Sequence, residues 1–209
     1  MGRPRDGRVD EAILDATRKL LAGSGYAGLT VDAVAELAGI GKAAIYRRYA
    51  TKQEMVFAAA VHGRSLAPPP DTGDLLGDLT ALVEEIVGRL TSPAAGAAVL
   101  GLLADVGSSA ALADRFHEAF VVREQAGIAA LLDRAVARGE LAPAPDVGLV
   151  HALVTGPVFA MLYLQRRAPD GLARWLAPIV AAALTGTAPE PPPGAAAPAL
   201  YPGRTGPDL

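Results

Sequence analysis

A chain of 209 residues, 51% hydrophobic and 20% charged, is long enough to bury a sizeable core in one domain or two. It has no cysteine, which excludes disulfides, thiolate metal sites and thiol nucleophiles, and its three histidines, His62, His117 and His151, are too widely spaced to suggest zinc. The net charge of −3 divides unevenly, +3 over residues 1–64 and −6 over 65–209, a balance suited to a protein that touches nucleic acid at one end.

Residues 1–8, MGRPRDGR, carry Arg3, Arg5 and Arg8 and are expected to form a flexible basic arm able to follow a phosphate backbone or enter a minor groove. No basic segment leads into an apolar run, so no signal peptide is expected and the chain is assigned to the cytoplasm. A first helix is predicted over about 9–22. Val9, Ile13, Leu20 and Leu21 form one stripe, Asp10, Glu11, Arg18 and Lys19 lie opposite, and Gly23 and Gly25 stop it.

From Leu29 to Tyr49 the chain reads LTVDAVAELAGIGKAAIYRRY. Two short helices joined at Gly39 fit this stretch, with Val34, Ala35, Ala38, Ile40 and Ile45 where they touch and Gly39 free to take a left-handed conformation. Thr30 is a good N-cap for the first, and Asp32 sits favourably in its first turn. The second, starting at Gly41 and Lys42 and ending near Tyr49, leaves Lys42, Ala43, Ala44, Tyr46, Arg47, Arg48 and Tyr49 outward. In a helix-turn-helix this second helix enters the major groove. Ala43 and Ala44 allow close approach and contact with thymine methyls, while the cations and tyrosine hydroxyls serve phosphates. Residues 39–44 also fit G-x-G-x-x-A, but that dinucleotide fingerprint needs a preceding strand and a βαβ unit, which the pattern lacks. Thr51-Lys52-Gln53-Glu54 is a capping box that opens a fourth helix over about 52–65, with Lys52 in the first turn, where backbone N–H groups favour phosphate. This helix is the natural lever between head and body.

The run from Val9 to about His62 resembles the N-terminal domain of the tetracycline-repressor-like (TetR) family of bacterial transcription regulators. The resemblance rests on the amphipathic first helix, the Gly25-Tyr26-Ala27-Gly28-Leu29-Thr30-Val31 link, the Ala38-Gly39-Ile40 turn, Lys42 through Tyr46 with Tyr49, and Thr51-Lys52-Gln53-Glu54. It implies that Thr30, Lys42, Tyr46, Tyr49 and Lys52 contact DNA, mostly through phosphates. Gly41 departs from the family's usual Ser or Thr. Arg47-Arg48 departs too, since the family more often has His at the second position, so base preference does not carry over.

Pro68-Pro69-Pro70 marks a domain boundary. Beyond it, helices and no strands are predicted, over 74–90, 94–106, 110–138 (one long helix, or two with a break near Gly127), 146–165 and 171–184. The fold class is therefore all-α: a three-helix helix-turn-helix DNA-binding domain within 9–65, joined by a linking helix to a C-terminal helical bundle over 71–186. Residues 147–164 lack Asp, Glu, Lys and Arg and are long enough to span a membrane. His151, Thr155, Gly156 and Pro157 in their middle favour a helix buried on all sides instead.

Leu172, Leu176, Ile179, Val180, Ala183 and Leu184 repeat an apolar stripe on the last helix. The resemblance implies a four-helix bundle made by the last two helices of each of two subunits; an intramolecular core is the alternative. Pro157 should bend its helix and open space. With Phe116, His117, Phe120, His151, Phe159 and Tyr163, this suggests an apolar effector pocket with a few polar groups, the alternative being that these residues fill an ordinary core. Residues 187–209, rich in Pro and Gly, are expected to be disordered.

The function implied is that of a homodimeric, ligand-responsive transcription regulator. It would be a repressor that binds near-palindromic double-stranded operator DNA and is released by a small apolar effector. No enzymatic activity, cofactor, metal or membrane is expected. Two other readings stay open: an architectural DNA binder without an effector, and a helical scaffold or enzyme with a degenerate head.

Overall fold

The computed structural model describes residues 7–62, 70–143 and 145–186. The expectations for residues 1–6, for most of the Pro-rich boundary and for the 187–209 tail lie outside the described residues.

Helix α1 spans Gly7–Gly28, longer than predicted at both ends. Arg8, assigned to the arm, belongs to its first turn. Gly23 is tolerated inside the helix, and Gly25, at φ 66° and ψ −177°, leaves helical geometry and stops its first segment as expected, with a short segment to Gly28 following across the kink. Its buried stripe is Ile13, Leu14, Ala16, Thr17 and Leu21, and the Thr17 hydroxyl donates to the Ile13 carbonyl at 2.7 Å.

Helix α2 (Val31–Ala38) starts where the Thr30 hydroxyl oxygen accepts from the Ala33 N–H at 3.2 Å. It ends at Gly39, left-handed at φ 66° and ψ 34°, where the Gly39 and Ile40 N–H groups donate back to the Glu36 and Ala35 carbonyls. Helix α3 is shorter than predicted, Lys42–Tyr46, and Arg47 to Tyr49 form a closing turn in which the Arg48 and Tyr49 N–H groups share the Ile45 carbonyl. Helix α4 (Lys52–Phe57) widens into a π-helical turn over Ala58–His62.

The body begins with α5 (Leu75–Leu90), capped by Asp74, and α6 (Pro93–Ser108), capped by Ser92 with proline at its first position. Next comes one continuous rod: α7 (Ala110–Phe116), a π turn over His117–Val121, and α8 (Val122–Ala137). The predicted break at Gly127 is absent; the irregularity is this wide turn ten residues earlier. Helix α9 (Val147–Phe159) runs through Pro157 and widens over Ala160–Leu164, and α10 (Leu172–Thr185) completes the body. No strand occurs among the described residues, so the all-α expectation is met.

In the head, α1 packs on α2 and on α4 with its π turn, and it also lies along α6 of the body. In the body, α5 packs most extensively on α10 and also meets α6, α8 and α9. Its floor is fixed by the fully buried Asp78 of α5. That carboxylate accepts from the Thr72 N–H and hydroxyl, each at 2.7 Å, and from Arg138 at 3.1 Å, and it lies 3.5 Å from Arg134.

One expectation is corrected. Residues 147–164 are long and apolar enough to cross a membrane, yet they are not buried on all sides within this chain. Val150, Val154 and Val158, four apart, face the core, whereas Leu149 and Leu164 are 57% and 70% exposed. The helix therefore has one buried stripe and one exposed apolar face.

Candidate nucleic-acid interface and the cavity behind it

Helix α3 is held by Ile45, its one buried residue, and by the Gly39 turn, so its remaining side chains are set by phase around the helix. Lys42, Ala43, Tyr46 and Arg47 are exposed and Ala44 is half-buried. The Lys42 ammonium pairs with Asp32 of α2, which holds it beside the start of the reading helix. Gly41 caps with its backbone alone: its carbonyl accepts from the Ala44 N–H at 2.8 Å, and no side-chain cap bond forms.

Arg48 departs from the sequence expectation. Its guanidinium turns inward, pairing with Asp10 of α1 and donating to the Ala44 carbonyl at 3.1 Å. It fastens the reading helix to α1 instead of pointing outward. Tyr49 is half-buried and packs against the core, and Thr30 stays exposed with its hydroxyl oxygen used as a cap.

Lys52 also has an internal role. Its ammonium donates to the Tyr26 carbonyl at 2.9 Å and lies 4.6 Å from the centre of the Tyr26 ring. Tyr26 in turn donates to Asp105 of α6, whose carboxylate also accepts from Gln53 of α4 at 2.8 Å. The ring rests on Gly101 of α6, where an added Cβ would stand 2.5 Å from a ring carbon. Burial, then the hydrogen bond to Asp105 and its charge, push the Tyr26 hydroxyl's pKa well up. The hydrogen bonds from Tyr26 and Gln53 hold the Asp105 carboxyl below its usual range. This latch joins the end of α1 and the start of α4 to the body. Sequence reasoning missed it because Tyr26 and Asp105 are 79 residues apart.

The capping box forms in a modified way. The Thr51 oxygen accepts from the Glu54 N–H at 3.1 Å, but Glu54 reaches back to the Ala50 N–H, one residue before the cap, at 2.9 Å. Its other oxygen accepts from Arg115 of α7 at 3.1 Å.

Inside the body lies a cavity of about 710 Å³, walled by α4 with its π turn and by α5, α6, α7, α8 and α9. Two of the three π turns bring a residue to this wall, Val61 in the first and Val121 in the second, and Phe159 at the end of α9 lines it just before the third. Of the six aromatic and histidine residues singled out from sequence, Phe116, His151 and Phe159 line it. Phe120 is buried beside it, its ring 4.4 Å from Phe57 and 5.2 Å from Phe116. Tyr163 donates to the Leu90 carbonyl at 2.7 Å and, like His117, is not part of the wall.

The polar end of the cavity is a chain of contacts. Arg89 donates to Glu124 at 3.3 Å, and the other oxygen of Glu124 lies 3.0 Å from His151 Nε2. Sequence reasoning passed over Arg89, although a signal existed: it follows Leu82 at seven residues, on the face that Leu82 and Ile86 turn inward. No cluster of three or more metal-ligating residues occurs among the described residues.

Residues 13–59 match the sequence profile of the bacterial regulatory proteins of the tetR family, and residues 69–183 match that of the tetracyclin repressor-like C-terminal domain. An HTH-type transcriptional regulator of Mycobacterium tuberculosis is 37% identical over 158 residues, covering 75% of this chain and 77% of the relative. The regulator YdeS of Bacillus subtilis is 29% identical over 164 residues, covering 78% and 82%. Among solved structures, a TetR family transcription regulator superposes with a TM-score of 0.68 at 25% identity, over 87% of this chain and 99% of the other. With both halves matched in sequence and the head and body folded as described, this chain belongs to the TetR family of helix-turn-helix transcription regulators.

Proposed function

We propose that the chain acts as a homodimeric repressor that binds a near-palindromic operator and is released by a small, mainly apolar effector. The observation that carries this reading is the double use of α4. Phe57 and, in its π turn, Val61 form part of the cavity wall, while Lys52 and Gln53 at its start hold the latch to Tyr26 and Asp105 beside the reading head. A ligand that presses on Phe57 therefore acts on the element that sets the angle of the head. Its effect on DNA affinity equals its differential affinity for the two body shapes.

The reading helix would present Lys42, Ala43, Ala44, Tyr46 and Arg47 to the major groove, with Thr30, Tyr49 and Lys52 near phosphates. The Lys52–Tyr26 contact would have to open or be shared for Lys52 to reach DNA. Dimerisation is assigned to α9 and α10, where Leu149, Leu164, Trp175 and Ile179 leave apolar surface exposed. Two heads would then meet half-sites about 34–36 Å apart, one DNA turn.

Fluorescence anisotropy tests this reading, using labelled DNA from beside the chain's own coding region against a shuffled duplex at several salt concentrations. The expected result is binding to the native fragment that weakens with salt and saturates at two chains per site. Equal binding to both duplexes favours an effector-independent architectural protein and rules this reading out.

A further inference from the structure

We infer that Asp32 is a specificity-determining residue: together with Lys42 it reads one G·C pair in the major groove, its carboxylate accepting from the cytosine amino group while the Lys42 ammonium donates to guanine. This rests on the assignment of α3 to the major groove above and adds a residue from outside that helix.

Asp32 is not used to cap α2. The cap is Thr30, whose hydroxyl oxygen accepts from the Ala33 N–H, and the partner of the Asp32 side chain is Lys42 of the next helix. Lys42 is the first residue of α3, at the end of a reading helix that approaches base edges. Because ammonium and carboxylate are in contact, a groove position that one reaches is within reach of the other. Their side chains are 56% and 66% exposed, so the pair stands open to a ligand. An ammonium carries several N–H donors and a carboxylate two oxygens, and one contact between them leaves capacity on both.

The chemistry of the groove decides what this pair fits. Only the amino groups of cytosine and adenine donate there, so only they can take the carboxylate oxygen. In a G·C pair the guanine O6 and N7 stand as adjacent acceptors beside the cytosine amino group, so one base pair satisfies both side chains. In an A·T pair the adenine amino group lies between single acceptors, its own N7 and the thymine O4, and the ammonium finds only one of them. Where Asp32 faces phosphates instead, it meets like charge and no donor, which weakens binding away from the matching site.

The test uses the full chain and a pool of duplexes with a randomised segment of about 20 base pairs, room for two half-sites one turn apart. Bound duplexes are sequenced for the wild type, Asp32→Ala, Asp32→Asn and Glu36→Ala. The wild type should enrich one G·C pair in each half-site about tenfold over A·T. Asp32→Ala should reduce that preference to about threefold, the share left to Lys42, and leave the other positions unchanged. Asp32→Asn supplies an amide that pairs with adenine N6 and N7, and it should move the preference at the same position toward A·T. Glu36→Ala removes the same charge one turn further along α2 and should alter no position. Asp32→Asn keeps the size of the side chain and carries the test by itself if the alanine variant fails to fold. No position changed by the Asp32 variants, or an even loss of preference at every position, overturns the inference while leaving the operator reading intact. If the wild type enriches no sequence, the assignment of α3 as a base reader fails and this inference with it.

Discussion

Between Thr30 and Tyr49 the reading head buries only Val34, Ala35 and Ile45 and takes its geometry mainly from a cap, a left-handed glycine and shared carbonyls, with one longer pin from Arg48 to Asp10. The body is pinned instead by polar groups brought together from distant parts of the chain. Asp78 meets Arg134 and Arg138 across 56 and 60 residues, and Glu124 meets His151 across 27. Local devices suit an element that must present one fixed surface. Long-range pins suit a body that encloses a cavity, because a few bonds then decide how its walls stand to one another.

The largest effect should come from the body's deepest pin. Asp78→Ala leaves the Thr72 N–H unpaired, leaves its hydroxyl only the longer bond to the Asp74 carbonyl at 3.3 Å, and brings two arginines together without their shared carboxylate. Removing one partner of a buried ion pair costs about 3–5 kcal/mol. Arg138 keeps Glu140 and Asp71, so about 3 kcal/mol is expected here, read from urea denaturation. Burial pushes the Asp78 carboxyl up, but the Thr72 hydrogen bonds, then Arg138 and Arg134, outweigh it and hold the group below its ordinary 3.8. With its folded pKa below the unfolded one, Asp78 contributes stability that is present above about pH 4 and lost as pH falls through the folded value. Asp78→Asn should therefore flatten the acid limb of the stability curve. An unchanged limb would show that the pin lies elsewhere.

Next in size is the seat of the latch. Gly101→Ala places a methyl where the Tyr26 ring lies, so the ring must leave and its hydroxyl must release Asp105. A loss of about 1–3 kcal/mol is expected. The same change in a Tyr26→Ala background should cost much less, and additive costs in that double-mutant cycle would sink the assignment.

The contrast between the two regions also explains what could be read from sequence. The helix-turn-helix was legible because Thr30, Gly39, Ile45 and Thr51 act on neighbours a few residues away. Arg48 was misread because its partner, Asp10, lies 38 residues back and helix phase alone points it outward. In the body, helix existence was legible from apolar periodicity. The cavity was legible only in part: Phe116, His151 and Phe159 reach it, while the π turns that carry Val61 and Val121 have no sequence signature, and Gly127 looked like a break but lies within α8 along the cavity wall. Helix α9 read as buried all round because composition reports how apolar a helix is, not how much of its surface the chain itself covers.

At the DNA surface, smaller effects should separate presenters from fasteners. Lys42→Ala should weaken operator binding about tenfold at moderate salt and lower the salt slope by about 1. Tyr46→Phe should weaken it less, with the chain's oligomeric state unchanged by sedimentation. Arg48→Ala should instead lower the melting temperature by loosening α3 from α1 while changing the salt slope little. Equal salt slopes for Lys42→Ala and wild type would remove Lys42 from the phosphate contacts.

The smallest effect tests whether the head is as local as its construction implies. Thr51 caps α4, and Glu54 ties that cap to Ala50 on one side and Arg115 of the body on the other. Thr51→Ala deletes a single cap bond, worth about 1 kcal/mol, and Thr51→Ser should restore most of it. Amide exchange in the alanine variant should quicken at Lys52, Gln53 and Glu54, the orphan donors of the first turn, and remain unchanged at the Ala44 and Arg47 amides of the reading helix. If protection at Ala44 and Arg47 falls as well, the reading helix depends on the start of α4, and a disturbance at Phe57 has a route to the DNA surface that does not require rotation of the whole head.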